Sequence, residues 1–151
     1  MWRTHDSCVF KVGDYSGRKI CAFDYDDTLC SLWTSNPLSN VVYTLHRLSD
    51  YYDILIFSNQ KGVSLGKSTN LEVQRRFDEF CNKYNLSPTI IYSTKDDEYR
   101  KPMDGMVKIF NMNTIVEMLV EDKKILVSVI YTLQIIVISL LEHPKMYFRI
   151  K

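Results

Sequence analysis

Residues 19–29 read KICAFDYDDTL, an apolar run of strand length that passes without a break into Asp24, Asp26, Asp27 and Thr28. β-Branched and aromatic residues suit a buried strand. An apolar strand that ends in carboxylates places charge where open α/β sheets carry their chemistry, outside the strand's carboxyl end.

Working outward, residues 8–12 and 19–23 are two strand-like runs separated by GDYSGR. Glycine and aspartate suit a turn, so the pair predicts a β-hairpin. Beyond Pro37, the apolar residues Val41, Val42, Leu45 and Leu48 recur at helical spacing, with Asn36 or Ser39 available as the cap. YDILIF at 52–57 is a continuous apolar run ending at Ser58-Asn59-Gln60, and helical spacing returns over 71–84. TIIYST at 89–94 is a third buried-strand run, followed by DDEYRKP and a short helical stretch over 105–110. Strands alternating with helices predict an α/β fold with a mainly parallel sheet.

A chain of 151 residues is long enough for one domain with its own core. Its 19 basic and 18 acidic residues nearly cancel, so no global field draws in a polyanion and any nucleic-acid contact must be local. Cys8, Cys21, Cys30 and Cys81 form no CxxC pair and no metal spacing with histidine. Reduced thiols and an N-terminus charged where an export signal needs an apolar run point to an intracellular protein, nucleus or cytoplasm being left open.

Asp24 and Asp26 supply two kinds of chemistry. An ionised carboxylate can attack phosphorus to give a mixed anhydride, while a second protonates the leaving oxygen and later activates water. Two anions facing an anionic phosphate need a hard cation, and oxygen ligands with room for water suit Mg²⁺, held by Asp24 and Asp26. Ser58, Asn59 and Lys101 follow the next two strand runs, and in a parallel sheet such ends share one edge. Together with Thr28 they are the candidate phosphate-binding residues. Lys101 is also a candidate catalytic residue, as the cation that neutralises the phosphoryl group.

AFDYDDTL, IFSNQKGV and YRKPMDGM (22–29, 56–63 and 99–106) resemble the first three motifs of haloacid dehalogenase (HAD) type phosphatases. The SNQ and RKPxxGM details are similar to those of the polynucleotide kinase 3′-phosphatase branch and of small histidinol-phosphate phosphatases. Trp2 and VFKVG look like the start of the same domain. The resemblance implies a HAD-like Rossmannoid three-layer fold with an N-terminal β-hairpin and no large cap domain. It also implies Asp24 as nucleophile, Asp26 as general acid/base, Ser58 as a phosphate ligand and Lys101 as the neutralising lysine. The implied function is Mg²⁺-dependent hydrolysis through an aspartyl-phosphate, acting on DNA 3′-phosphate ends. A small phosphomonoester is the alternative substrate, and an impaired or truncated relative with a binding role is the non-enzymatic alternative.

Two departures stand out. Asp27 replaces the family's usual glycine. The fourth motif, an acidic cluster of GD type, is missing: KKILVSV at 123–129 brings Val127 and Ser128 to its place, and Glu117, Glu121 and Asp122 precede it. Residues 125–141 then run for seventeen positions without a charge, although they include Thr132 and Gln134. The expected organisation is a phosphatase domain over 1–124 and an apolar tail over 125–151, the altered or truncated end of that domain. Buried strand or loosely packed chain is favoured over membrane contact for the tail.

GVSLGKST at 62–69 nearly matches a nucleotide-binding loop but is one residue short between its glycines, so no nucleotide cofactor is expected. Lys61, Lys67, Arg75 and Arg76 suggest a basic patch toward a DNA backbone, solvated charge being the commoner reading. His5, His46 and His143 stand beside no acid cluster. Tyr25 and Trp33 lie close to the expected site and are read as packing or rim residues ahead of base-stacking ones.

Overall fold

The structure, a computed structural model, describes residues 1–16, 18 and 20–114. The readings placed on Glu117, Glu121, Asp122, Ser128 and the 125–151 tail lie outside the described residues. Five strands and three helices follow one another as β1 (Arg3–His5), β2 (Cys8–Lys11), β3 (Ile20–Phe23), α1 (Val41–Ser49), β4 (Asp53–Asn59), α2 (Asn70–Lys83), β5 (Thr89–Ser93) and α3 (Gly105–Thr114). The strands form one sheet in the order β1-β2-β5-β4-β3. β3, β4 and β5 are parallel neighbours, with Phe23 opposite Ile56 and Asn59 opposite Ser93. Their carboxyl ends therefore share one edge, as the apolar runs predict.

The N-terminal hairpin is present, but with different strands from those expected. Residues 8–12 do not pair with 19–23. β2 pairs with β1 through a two-residue turn, in which Asp6 has a φ of 52°, and on its other side runs antiparallel to β5. Cys8, Val9 and Phe10 are all buried, so β2 belongs inside the sheet. GDYSGR connects β2 to the far edge of the sheet. Asp53 at the start of β4 holds this connection by accepting from the Ser16 and Arg18 main-chain N–H groups and the Ser16 hydroxyl.

α1 is tied to the end of α2, His46 Nε2 meeting the Tyr84 carbonyl at 2.8 Å. Neither Asn36 nor Ser39 caps α1. The cap residue is Asn40, left-handed at φ 64° and without a side-chain cap bond. α2 opens on a capping box in which Thr69 Oγ1 accepts from Glu72 N–H and the Glu72 carboxylate accepts from Thr69 N–H. GVSLGKST thus ends as a helix cap, and its Lys67 and Ser68 N–H groups turn back onto the Gly62 carbonyl.

Val73, Phe77 and Phe80 of α2 fill the core beneath the sheet edge, where the Tyr25 ring meets Phe77 edge-on at 4.6 Å between centroids. All five residues of β5 are buried, as expected of a strand covered on both faces. Among the described residues no helix is long and apolar enough to cross a membrane.

Candidate active site

Period-two alternation at the end of β3 divides the DxD segment between core and solvent. Tyr25 is fully buried, its hydroxyl donating to the Thr34 carbonyl at 3.0 Å. Asp24 and Asp26, on either side of it, line a cleft of about 430 Å³ with Asp27, Trp33, Asn59, Gln60, Lys61, Arg100 and Lys101. Asp27 takes φ 57° and caps the following turn, its Oδ1 accepting from Leu32 N–H at 3.0 Å. Aspartate is among the few side chains that tolerate this left-handed conformation, which explains how it stands where the resemblance has glycine.

Lys101 reaches the same edge from the loop after β5. Its ammonium donates to Asp24 Oδ1 at 2.7 Å and to the Phe57 carbonyl. Asn59 grips its main chain from both sides: Oδ1 accepts from Lys101 N–H at 2.9 Å and Nδ2 donates to the Lys101 carbonyl at 3.3 Å. The same Oδ1 accepts from Ser93 Oγ, so the Asn59 amide is engaged in joining the ends of β4 and β5. Burial pulls the Lys101 ammonium below its ordinary pKa, against the opposing pull of Asp24 and its hydrogen bond. Gly105, in the same motif, has a local reason: a Cβ there would lie 2.5 Å from the Glu98 carbonyl oxygen.

Ser58 is buried at the end of β4, its Oγ accepting from Gln60 Nε2 at 2.8 Å, which leaves the hydroxyl its own proton to donate. Thr28 is also buried, in the turn after β3, and lies outside the cleft lining. Of the site residues read from the sequence, Asp24, Asp26, Asn59 and Lys101 line the cleft, whereas Ser58 and Thr28 are buried and outside its lining.

Two further residues line up with the site: Arg76, which the sequence suggested only as part of a basic patch, and Gln60, quoted only within the SNQ motif. Arg76 of α2 donates Nη1 to Asp26 Oδ1 at 2.8 Å and Nη2 to Gln60 Oε1 at 2.9 Å, and Gln60 Nε2 donates to Asp26 Oδ2 at 2.7 Å. Arg76 is therefore part of the site rather than of a basic surface patch. The signal was its place three residues after Val73 and four before Phe80, on the inward stripe of α2. Lys67 and Arg75 are exposed, and Lys61 meets Asp96 at 3.4 Å on the surface.

The described residues fit a Mg²⁺ ion in part. Asp24 Oδ2 accepts no hydrogen bond among the described residues, whereas both Asp26 oxygens are engaged by Arg76, Gln60 and Trp33 N–H. No group of three or more His, Cys, Asp or Glu side chains comes together among them to hold an ion. One or two carboxylates, substrate phosphate and water are nevertheless a usual Mg²⁺ shell.

Solved structures of similar fold include the D,D-heptose 1,7-bisphosphate phosphatase of B. bronchiseptica, complexed with magnesium and phosphate. That match has a TM-score of 0.57 and 15% identity, covering 64% of this chain and 64% of that one. A HAD-like phosphatase of Mesorhizobium loti, so described as a putative one, matches with a TM-score of 0.59 and 12% identity, over 73% of this chain and 66% of that one. At these identities the likeness concerns the fold. No curated protein matches the chain significantly. The model of the polynucleotide kinase 3 phosphatase family matches residues 19–131, well over half of the chain. The chain spans just under two thirds of the length of these two structures, 64% and 66%, and with its three strand-end motifs brought to one edge it belongs to the polynucleotide kinase 3 phosphatase family.

Proposed function

We propose that the chain removes the phosphate from polynucleotide 3′ ends, with Mg²⁺, through an aspartyl-phosphate on Asp24. The observation that carries the mechanism is the meeting of Asp24, Asp26 and Lys101 at one cleft, with the Lys101 ammonium 2.7 Å from Asp24 Oδ1. Asp24 Oδ2 attacks phosphorus while the ester bond to the leaving oxygen breaks, and Asp26 gives that oxygen its proton. Water then attacks the aspartyl-phosphate, Asp26 takes the water's proton, and phosphate leaves with Asp24 restored. Lys101 holds the Asp24 carboxylate in place and offsets charge on the phosphoryl oxygens, aided by the Ser58 hydroxyl. The Asp24 carboxylate and the Asp26 carbonyl would hold Mg²⁺, which when bound supplies charge neutralisation between the carboxylate and the phosphate.

The rim of the cleft supports a polynucleotide end over a small ester. Trp33, 57% exposed at φ 65°, and Leu32, 48% exposed, present an apolar and aromatic lip of the kind on which a base stacks. Lys61 and Arg100 line the cleft as well and are tied to Asp96 only by surface ion pairs of 3.4 and 3.6 Å, which a phosphate backbone can displace. The test compares phosphate release from a 3′-phosphorylated oligonucleotide with release from histidinol phosphate, in native protein and in Trp33→Ala. The oligonucleotide should have the higher kcat/KM, and the substitution should raise KM for it alone. A higher kcat/KM for histidinol phosphate would contradict the substrate assignment.

A further inference from the structure

Resting on the phosphatase reading above, we infer that Arg76 is a positioning residue for the reaction, holding Asp26 in the one orientation from which it can exchange a proton with the leaving oxygen. Arg76, Asp26 and Gln60 form a closed ring of hydrogen bonds. The guanidinium donates one N–H to Asp26 and another to Gln60, and the Gln60 amide returns a hydrogen bond to the other Asp26 oxygen. A ring of this kind fixes both the position and the plane of the carboxylate, because guanidinium, amide and carboxylate are each planar.

The ring is well supported. Gln60 is buried, its main-chain N–H donates to the Ser93 carbonyl at 2.7 Å, and its side-chain amide also donates to Ser58 Oγ. Arg76 lies 5.8 Å from the Tyr25 ring centroid and 5.9 Å from that of Phe77, so its stem and guanidinium are held by the core side of the DxD segment. The Arg76 and Asp26 side chains are 15% and 17% exposed, which shields the pair from the solvent that weakens surface ion pairs. α2 is thereby coupled to the proposed proton-transfer group, and Ser58 is coupled to both through Gln60. Asp24 and Lys101 form a separate pair, so loss of Arg76 leaves the proposed nucleophile and its cation in place.

That separation gives the experiment its readout. An alkyl phosphate needs its leaving oxygen protonated, whereas p-nitrophenyl phosphate has a leaving group stable enough to depart without an acid. Both are assayed as kcat/KM, which reports the steps up to departure of the leaving group, in native protein and in Arg76→Met, which keeps the packed stem and removes the fork. The expected result is a loss of about tenfold or more with β-glycerol phosphate and a loss below threefold with p-nitrophenyl phosphate, general acid catalysis being worth about 10²–10⁴ in rate. Arg76→Lys should recover part of the alkyl phosphate activity, since it restores the charge without the fork. Equal losses on the two substrates, in either variant with a native circular dichroism spectrum, would overturn the inference and leave the phosphatase reading standing. A native protein that hydrolyses neither of these substrates nor a 3′-phosphorylated oligonucleotide in Mg²⁺ would overturn both.

Discussion

Lys101 and Asp24 are 77 positions apart in the chain, yet the Lys101 ammonium donates to Asp24 Oδ1 at 2.7 Å. The lysine side chain is 2% exposed and that of the aspartate 11%, so the pair sits at the floor of the cleft with little water between them. In the proposed mechanism a cation placed there acts on the carboxylate before substrate arrives and on the phosphoryl oxygens afterwards.

Lys101→Ala removes that cation from a water-poor site. The expected loss is about two to four kcal/mol of barrier, or roughly one hundred- to one thousand-fold in kcat. Steady-state kinetics with a native circular dichroism spectrum check it, and a loss below fivefold would contradict the role given to the lysine.

Metal dependence should be absolute but loose. Asp24 Oδ2 accepts no hydrogen bond among the described residues, and the family resemblance implies an acid at the sequence position that Ser128 takes. Loss of even an outer ligand commonly weakens a metal about ten- to one hundredfold. Chelation should abolish turnover, and titration should show half-maximal activity at millimolar Mg²⁺. Saturation at micromolar Mg²⁺ would contradict this.

All four cysteines are buried as free thiols. Burial pushes Cys8, Cys21 and Cys81 up to about 12 and Cys30 up to about 11, Asp97 adding to the effect at Cys8. The native protein should therefore react with a thiol-specific disulfide reagent at pH 8 only as fast as it opens, and all four should react at once in denaturant. The linkage has a sign. Each folded-state value lies above the ordinary 9.0, so the unfolded thiol sheds its proton first. This contribution to stability is intact below pH 9 and declines as pH rises toward 11–12. Urea midpoints at pH 8 and pH 10 measure it, the lower midpoint being expected at pH 10; rapid labelling of native protein would contradict the burial.

Much of the fold was legible because the three parallel strands are apolar on both faces and each ends in polar residues. KICAF, YDILIF and TIIYST needed no partner to be recognised, and their common edge followed from parallel order. The partner of β2 was not legible. GDYSGR has the composition of a hairpin turn, but the decision lies in β5, about eighty residues away, whose open side accepts Cys8–Lys11. Local turn chemistry and non-local pairing competed there, and burial of Cys8, Val9 and Phe10 won.

The site divided along the same line. Asp24, Asp26, Ser58, Asn59 and Lys101 are at or after strand ends, so their meeting at one sheet edge could be read from sequence position. Arg76 sits in the middle of a helix, where charge usually means solvent, and its role depends on a fork reaching Asp26 across fifty positions. Asn59 was visible as a polar group beside phosphate, whereas its two bonds to the Lys101 main chain required the folded loop.

The central claim is that Asp24 is the nucleophile, and phosphate release from a 3′-phosphorylated oligonucleotide in saturating Mg²⁺ by native protein and by Asp24→Asn tests it most directly. Asparagine preserves the size of the side chain, so the variant should keep its circular dichroism spectrum. The account predicts release by the native chain and a fall on the order of a thousandfold or more in the variant, because a neutral amide cannot form the aspartyl-phosphate. A folded Asp24→Asn protein that releases phosphate at the native rate would contradict it.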